Sequence, residues 1–143
     1  MDDAAVCRAI EEIRNLKSRY FQCMDFKWWD KYPALFTDDF IAYNDDGSVR
    51  STGGAEFAGA VGGFLAEAKT LHQAYMPEIE MIDADNARGV WAMHDILTWE
   101  NGAPGAGMKR MEGWGHYHET YRRVAGNWKI ASMKLTRLHV DVA

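Results

Sequence analysis

The sequence predicts an α+β fold in which helices in the N-terminal half are wrapped by a strongly curved antiparallel sheet. Apolar residues recur at helical spacing near the N-terminus, and long segments of strand-like sequence fill the second half, separated by turn sequences. Helices and strands that are segregated along a chain in this way are typical of α+β proteins. A chain of 143 residues fits a single domain over 1–143 with a substantial core.

Three helices are predicted in the N-terminal half. Apolar residues from Val6 to Met24 recur with a period near 3.6 and have charged residues between them, which predicts a helix over 4–24. A short second helix is expected over 28–35. A third is expected over 54–68, where two central glycines weaken the helical signal.

Strands make up the rest of the chain. The segment "DDFIAYNDDGSVRSTG" predicts a short hairpin around its DDG turn. Four long strands follow, separated by "DADN", "NGAPGAG" and "AGN". We expect a bulge in the first of them at Pro77, which cannot donate to a ladder, and bends in the third at Gly113 and Gly115.

Composition narrows the classes of function. A net charge of −5 argues against nucleic acid as a partner. The N-terminus is acidic and no apolar run could span a bilayer, so we expect neither a membrane segment nor a secretory leader. Cys7 and Cys23 have no framework spacing, which fits a reducing cytoplasm. No phosphate-binding glycine loop, nucleophile elbow or dinucleotide fingerprint is present, so no cofactor is expected.

The stretch "YFQCMDFKWWD" places Asp25 among apolar residues such as Phe21, Met24 and Trp28. In one interpretation Asp25 is the N-cap of the short second helix. In the other it is a base or a histidine-orienting group in an apolar pocket, where burial and the carbonyl end of the first helix would raise its pKa. The local sequence leaves both interpretations open.

Three further residues are candidates for acid–base chemistry. His72 lies at the start of a strand and titrates near neutrality, although it could equally be an exposed histidine. Asp95 alternates in phase with Trp91 and Met93, so it faces an apolar layer and is either functional or tied to a basic residue. Tyr20 could donate a hydrogen bond to a substrate, or be a core tyrosine.

The triplet "HYH" places His116 and His118 on one face of a strand, a spacing used by metal-binding cupins. Glu119 points to the opposite face and the helices disfavour a cupin, so no metal is expected. The two histidines either line the pocket or lie outside it beside Arg122. Which face of this strand lines the pocket stays open.

The segments "YFQCMDFKWWDKYPALFTDDF" and "GHYHETYRRVAGNWKIASMKLTRL" resemble the SnoaL-like branch of the nuclear-transport-factor-2-like superfamily, and the resemblance covers nearly the whole chain. It implies a cone-shaped α+β barrel with a deep apolar pocket. Members include ketosteroid isomerase, scytalone dehydratase, polyketide cyclases, a bile acid 7α-dehydratase and a hexachlorocyclohexane dehydrochlorinase. Others only bind ligands or partners, so the fold alone does not give a function.

The resemblance also implies a site. The dehydratase and dehydrochlorinase members place an aspartate at the end of the first helix and a histidine at the start of the first long strand, and Asp25 and His72 fall there. The bile acid dehydratase has a tyrosine five residues before its aspartate and an acid on the next strand; Tyr20 and Asp95 match these positions.

The basic residue that stabilises the leaving group in the dehydrochlorinase has no certain counterpart in this sequence. Lys134 and Arg137 on the last strand are the candidates. The sequence does not show which of the two side chains points towards the pocket.

Together these observations predict a cofactor-independent lyase or isomerase acting on a small hydrophobic, aromatic or polycyclic molecule. The His72–Asp25 pair would abstract a proton, Tyr20 would polarise the substrate, and Asp95 would support the pair or deliver a second proton. The residues predicted to bind substrate are Trp28, Trp91, Met93, Trp114, His116, His118 and Lys134.

Two alternatives remain at this point: a polyketide-cyclase-type enzyme, and a non-catalytic module that binds a hydrophobic ligand or dimerises. We also expect a homodimer or a higher homo-oligomer.

Overall fold

The computed structural model describes all 143 residues. Two α-helices, one short 3-10 helix and six strands follow one another along the chain. They are α1 (Asp3–Asp25), the 3-10 helix (Tyr32–Leu35), β1 (Phe36–Tyr43), β2 (Val49–Thr52), α2 (Gly54–Leu65), β3 (Ala68–Met81), β4 (Asn86–Trp99), β5 (Arg110–Val124) and β6 (Asn127–Val142).

The helices differ from the sequence prediction in two respects. Helix α2 ends at Leu65 and not at residue 68, because Ala68 already begins β3. The segment predicted to be helical over 28–35 forms only a 3-10 turn over Tyr32–Leu35, with Pro33 in its first turn. Proline has no N–H to donate, and it is tolerated in a helix only near the beginning. The residues between α1 and this turn instead form hydrogen-bonded turns of their own.

The six strands form one sheet in the order β2-β1-β6-β5-β4-β3. All neighbours are antiparallel except β1 and β6, which are parallel. The sheet is therefore mixed, whereas the sequence predicts a wholly antiparallel one. The hairpins were predictable from local turns, but the β1–β6 pairing joins strands that most of the chain separates.

Bulges bend the long strands where the sequence predicts them. The β3–β4 register shifts between Tyr75 and Glu78, the segment that contains Pro77. The β5–β6 register shifts between Trp114 and Gly115. The predictions at Pro77 and Gly115 are confirmed, whereas Gly113 pairs in regular register with Asp95 and Val140. The bends help the sheet to curve over α1 and α2.

The core lies between the helices and the inner face of the sheet. The burial pattern of β5 alternates so that Tyr117, Glu119 and Tyr121 are buried, while His116 and His118 are on the other, half-buried face. None of the helices combines the length and apolar character needed to cross a bilayer.

Candidate active site

A cavity of about 570 Å³ opens on the inner face of the sheet, and fourteen of its twenty-one lining residues are hydrophobic. The size and the apolar lining are typical of sites for small organic molecules. Helix α2 contributes Phe57, Val61 and Phe64 to the apolar wall, and the sheet contributes Leu97 and Leu135.

Polar groups enter this cavity from two parts of the chain. The β1–β2 hairpin supplies Asn44 and Asp45 from its turn and Arg50 and Ser51 from β2. The long strands supply His72, Asp95 and Arg137, and Tyr20 and Tyr117 complete this second group. Only the second group contains an ion pair between two lining residues, that of Arg137 with Asp95.

A second hollow of about 680 Å³ is lined by thirteen residues, of which only three are hydrophobic. It includes His118 and Lys134 but none of Tyr20, His72 and Asp95. The smaller, apolar cavity is therefore the candidate active site.

Asp25 is the last residue of α1, and the chain turns sharply after it. The Trp28 N–H donates to the Cys23 carbonyl at 2.8 Å, and the Lys27 N–H donates to the Met24 carbonyl at 3.4 Å. These two bonds are those of a Schellman motif, which closes the C-terminus of a helix. Asp25 therefore does not cap the following 3-10 helix, whose N-cap position is Lys31.

The carboxylate of Asp25 holds His72 at both its backbone and its ring. Asp25 Oδ1 lies 2.7 Å from His72 Nδ1, and Asp25 Oδ2 accepts a bond from the His72 backbone N–H at 3.0 Å. The Thr70 hydroxyl donates to Oδ1 at 2.8 Å. The His72 ring stacks on Phe21 with an interplanar angle of 11°. The imidazole is thereby fixed in the wall of the cavity.

The pKa of Asp25 lies below its usual value. Burial alone would raise this pKa, but the hydrogen bonds from His72 and Thr70, together with the charge of His72, outweigh burial. The expectation that the pocket raises the pKa of Asp25 is therefore wrong, because the carboxylate is well paired. An ionised Asp25 can only accept hydrogen bonds, so the His72 ring donates from Nδ1 in their contact.

Arg137 and Asp95 form a second pair in the same wall. Arg137 Nη1 and Nη2 donate to the two carboxylate oxygens of Asp95 at 2.7 and 2.9 Å. Burial would lower the pKa of Arg137, but the bonds to Asp95 hold it above its usual value. Asp95 is thus tied to a basic residue, and it lies directly opposite His72 in the β3–β4 register.

Arg137, and not Lys134, is the basic residue of β6 that reaches the cavity. Alternate residues of β6, namely Met133, Leu135 and Arg137, line the cavity, whereas Lys134 lies in the outer hollow. The sequence could not decide between the two basic residues because it did not fix the facing of β6.

Tyr20 lies in the cavity wall, and its hydroxyl donates only to Met133 Sδ, at 3.6 Å. Thioether sulfur is a weak acceptor, so this hydroxyl can bond to a better one. Burial, with a smaller effect from Tyr32, raises the pKa of Tyr20 well above its usual value, so it stays a phenol and a donor. Tyr117 of β5 also lines the cavity, with its ring 6.0 Å from that of Tyr20.

A buried ion pair lies behind these tyrosines. Lys17 Nζ is 2.9 Å from Glu119 Oε2, and both side chains are almost fully excluded from solvent. The Lys17 ammonium also lies 3.5 Å from the centroid of Tyr117 and 4.0 Å from that of Tyr20. Sequence reasoning missed Lys17, although its position on the apolar face of α1 was a usable signal.

The structure places three of the predicted substrate-binding residues away from the cavity lining. Trp28 is partly exposed and stacks on Phe26. Trp91 and Met93 are buried, as the alternation of β4 predicts, but they pack in the core. Trp91 Nε1 donates to the Tyr121 hydroxyl at 2.8 Å.

The other four predicted substrate-binding residues, Trp114, His116, His118 and Lys134, lie on the opposite face of the sheet. None of them lines the cavity. Trp114 stacks on His94 there, and His118 bonds to Thr136 at 3.1 Å. On β5 the alternation of side chains places Tyr117 and Glu119 on the buried face, so the residues between them point to the other face. His116 and His118 are not part of any group of three or more side chains that could hold a metal ion.

The family model described as "SnoaL-like domain" matches residues 5–134. The probable cyclase FGR4 of Gibberella zeae is 28% identical over 138 residues, which is 89% of each chain.

Solved structures share the fold. A candidate scytalone dehydratase from Novosphingobium aromaticivorans superposes with a TM-score of 0.85 at 17% identity, covering 98% of this chain and 91% of that one. A hexachlorocyclohexane dehydrochlorinase from Novosphingobium barchaimii gives a TM-score of 0.78 at 14% identity, covering 99% and 94%. From the family match over most of its length, the chain belongs to the SnoaL-like domain family.

Proposed function

We propose that this protein is a cofactor-independent acid–base enzyme that acts on a small hydrophobic molecule by elimination, with His72 as the base. The observation that carries the proposal is the 2.7 Å contact between His72 Nδ1 and Asp25 Oδ1 in the wall of an apolar cavity. An orienting carboxylate on one ring nitrogen makes the other nitrogen a positioned base.

In the proposed step, His72 Nε2 takes a proton from the carbon adjacent to the one that bears the leaving group. The electrons of the broken C–H bond form a C=C bond, and the leaving group departs with the electrons of its own bond to carbon. A leaving hydroxyl collects the proton from the His72 imidazolium and departs as water. A halide departs as an anion, and the proton passes from His72 to solvent.

The other polar residues of the cavity stabilise the charge that develops on the leaving group or on a carbonyl next to the reacting carbon. Tyr20 donates from a hydroxyl that has only a sulfur acceptor in the protein. Arg137 brings a fixed positive charge, and Asp95 acts as the residue that positions it, since both carboxylate oxygens are already bonded to the guanidinium. Asp95 is therefore not the second proton donor in this proposal.

The cavity also limits the substrate. A volume of about 570 Å³ with a largely apolar lining fits an aromatic or polycyclic body, while the polar groups leave room for a hydroxyl, halide or carbonyl. Two of the similar structures are named as a candidate dehydratase and a dehydrochlorinase, names that denote loss of water and of HCl, and they support this choice of reaction class.

Cyclisation of a polyketide is the second candidate, because the relative in Gibberella zeae is a probable cyclase. The same base would remove a proton next to a carbonyl, and the resulting enolate would attack a second carbonyl of the same molecule. Tyr20 and Arg137 would then stabilise the oxyanion. Product mass separates the candidates, because elimination releases water or HX, whereas ring closure without dehydration leaves the mass unchanged.

The test is turnover of a panel of hydroxylated and halogenated polycycles and of poly-β-ketones, with products identified by mass spectrometry. His72→Ala is expected to reduce turnover by about 10²- to 10⁴-fold. Asp25→Asn is expected to act in the same direction, because it keeps the shape but removes the charge that orients His72.

His116→Ala is the matched control, since it removes an imidazole from the other face of the sheet. It should retain wild-type turnover. Equal turnover in wild type, His72→Ala and Asp25→Asn, all folded, would contradict the dyad. Saturable ligand binding without turnover of any compound would favour the non-catalytic module.

A further inference from the structure

Lys27 occupies a backbone conformation that favours glycine. It follows α1 with a φ of 61°, in the left-handed region, at the position of the Schellman motif where glycine is most common. A side chain there is disfavoured by the backbone. A disfavoured conformation next to a candidate active site suggests a role for the side chain itself.

The side chain of Lys27 begins a chain of hydrogen bonds that ends at His72. Lys27 Nζ donates to Thr70 Oγ1 at 3.2 Å, and the Thr70 hydroxyl donates to Asp25 Oδ1 at 2.8 Å. The same oxygen lies 2.7 Å from His72 Nδ1. Thr70 and His72 are two residues apart on the inner face of β3, so both side chains can bond to the carboxylate of Asp25.

The Lys27 ammonium group determines which atom is the donor and which the acceptor in each of these hydrogen bonds. Ammonium has no acceptor, so Thr70 Oγ1 must accept from Lys27 and direct its own hydrogen elsewhere. That hydrogen points to Asp25, where it meets an oxygen that only accepts. With Thr70 and the His72 backbone N–H both donating to the carboxylate, Asp25 is held ionised and the His72 ring must present Nδ1–H.

We propose that Lys27 and Thr70 are positioning residues that fix the donor direction at Asp25 and so hold His72 in the Nδ1-protonated tautomer, with Nε2 free towards the cavity. This inference rests on the proposed function for its importance to catalysis. Its physical content concerns only the state of the His72 ring, which can be measured without a substrate.

Removing either residue should change the pKa of His72 in a defined direction. The Thr70 hydroxyl and the Lys27 charge both satisfy part of the negative charge of Asp25, so the carboxylate stabilises the His72 imidazolium less. Their loss should therefore raise the pKa of His72.

Other titratable groups line the same cavity as His72, and they stay unchanged in this test. They include Tyr20 of α1, Asp95 of β4, Tyr117 of β5 and Arg137 of β6.

The experiment is an NMR titration of protein with isotope-labelled histidine, in which His72→Gln assigns the His72 signals. In wild type the nitrogen shifts of the neutral ring should report Nδ1–H. Thr70→Val and Lys27→Met should each raise the pKa of His72 by about half a pH unit or more. The conservative variants Thr70→Ser and Lys27→Arg should instead keep the pKa of His72 near the wild-type value.

Lys27→Gly separates positioning from structure. It removes the ammonium but suits the left-handed backbone, so the melting temperature should be maintained or raised while the pKa of His72 still rises. In the Thr70→Val background Lys27→Met should have a smaller effect than in wild type, because its main route to Asp25 has been removed.

Lys69→Met is the control for general charge, since Lys69 is an exposed lysine beside Thr70 on the outer face of β3. It should leave the His72 signals in place. The proposal is overturned if wild type shows Nε2–H, if neither Thr70→Val nor Lys27→Met moves the pKa, or if Lys69→Met moves it equally. Absence of turnover with a normal His72 titration would instead count against the proposed function alone.

Discussion

The guanidinium of Arg137 occupies the space that a β-carbon on Gly113 would need. A methyl group built at Gly113 would overlap Arg137 Nη1 and lie 2.9 Å from Asp95 Oδ1. Gly113 pairs with Asp95 across the β4–β5 ladder, so the absence of a side chain there leaves room for the ion pair.

Gly113→Ala is therefore expected to displace Arg137 from Asp95. We expect turnover to fall by at least about tenfold and stability to fall by about 1–3 kcal/mol, as for other overpacked sites. Urea denaturation and turnover of the substrate found with the panel measure the two effects. Gly59→Ala is the control, because Gly59 is an exposed residue of α2 with open space around it; it should stabilise the protein by about 0.5–1 kcal/mol.

Tyr20→Phe should separate catalysis from stability. The lost hydroxyl bonds only to the sulfur of Met133, so the unfolding free energy should change by less than about 1 kcal/mol. Turnover should fall by about 10- to 10³-fold, because the donor to the leaving group or oxyanion is gone. A stability loss with full turnover would instead identify Tyr20 as a core tyrosine.

The Lys17–Glu119 pair should behave as a buried unit. Lys17→Met leaves Glu119 without its countercharge, with only the Tyr121 hydroxyl donating to it at 2.8 Å, and we expect a loss of about 3–5 kcal/mol. Glu119→Leu should have a similar effect. The double variant should recover much of this loss, since an apolar pair can replace a buried ion pair. Denaturant titrations of the four proteins form a double-mutant cycle, and strict additivity would show that the two residues act independently.

The same lysine predicts a pH dependence of stability. Burial lowers the pKa of Lys17 from 10.5 to about 8, against the opposing effect of Glu119. Between these two values the unfolded chain binds more protons at this site than the folded one, so the contribution of Lys17 to stability rises with pH across this window. The difference in unfolding free energy between wild type and Lys17→Met should therefore grow from pH 8 upward. A difference that stays constant or shrinks would contradict the lowered pKa.

Much of the fold could be predicted because periodicity and turn residues are local signals. The apolar period of α1, the bulge at Pro77 and the bend at Gly115 all appear in the structure where the sequence indicates them. The parallel pairing of β1 and β6 could not be predicted, since nothing local distinguishes a parallel neighbour from an antiparallel one.

The candidate site, too, could be predicted only in part. The contact of Asp25 with His72 could be expected from the resemblance, and the structure places the two side chains together. The sequence could not predict which residues of β5 and β6 point towards the cavity. Alternation divides each strand into two sets of residues but does not show which set is buried. His116 and Lys134 were therefore predicted in the cavity, whereas Arg137 lies there.

The strand order has a consequence for synthesis of the protein. β6 is translated after every other strand, yet it lies between β1 and β5. While the chain is emerging, the β1–β2 hairpin and the β3–β4–β5 meander can each form, but no strand yet joins them into one sheet. Arg137 arrives on the joining strand, so the candidate site is completed only when the two halves of the sheet close around β6. Deletion of β6 should leave two sheet fragments with exposed edges at β1 and β5 that are prone to aggregate, and not a smaller version of the same protein.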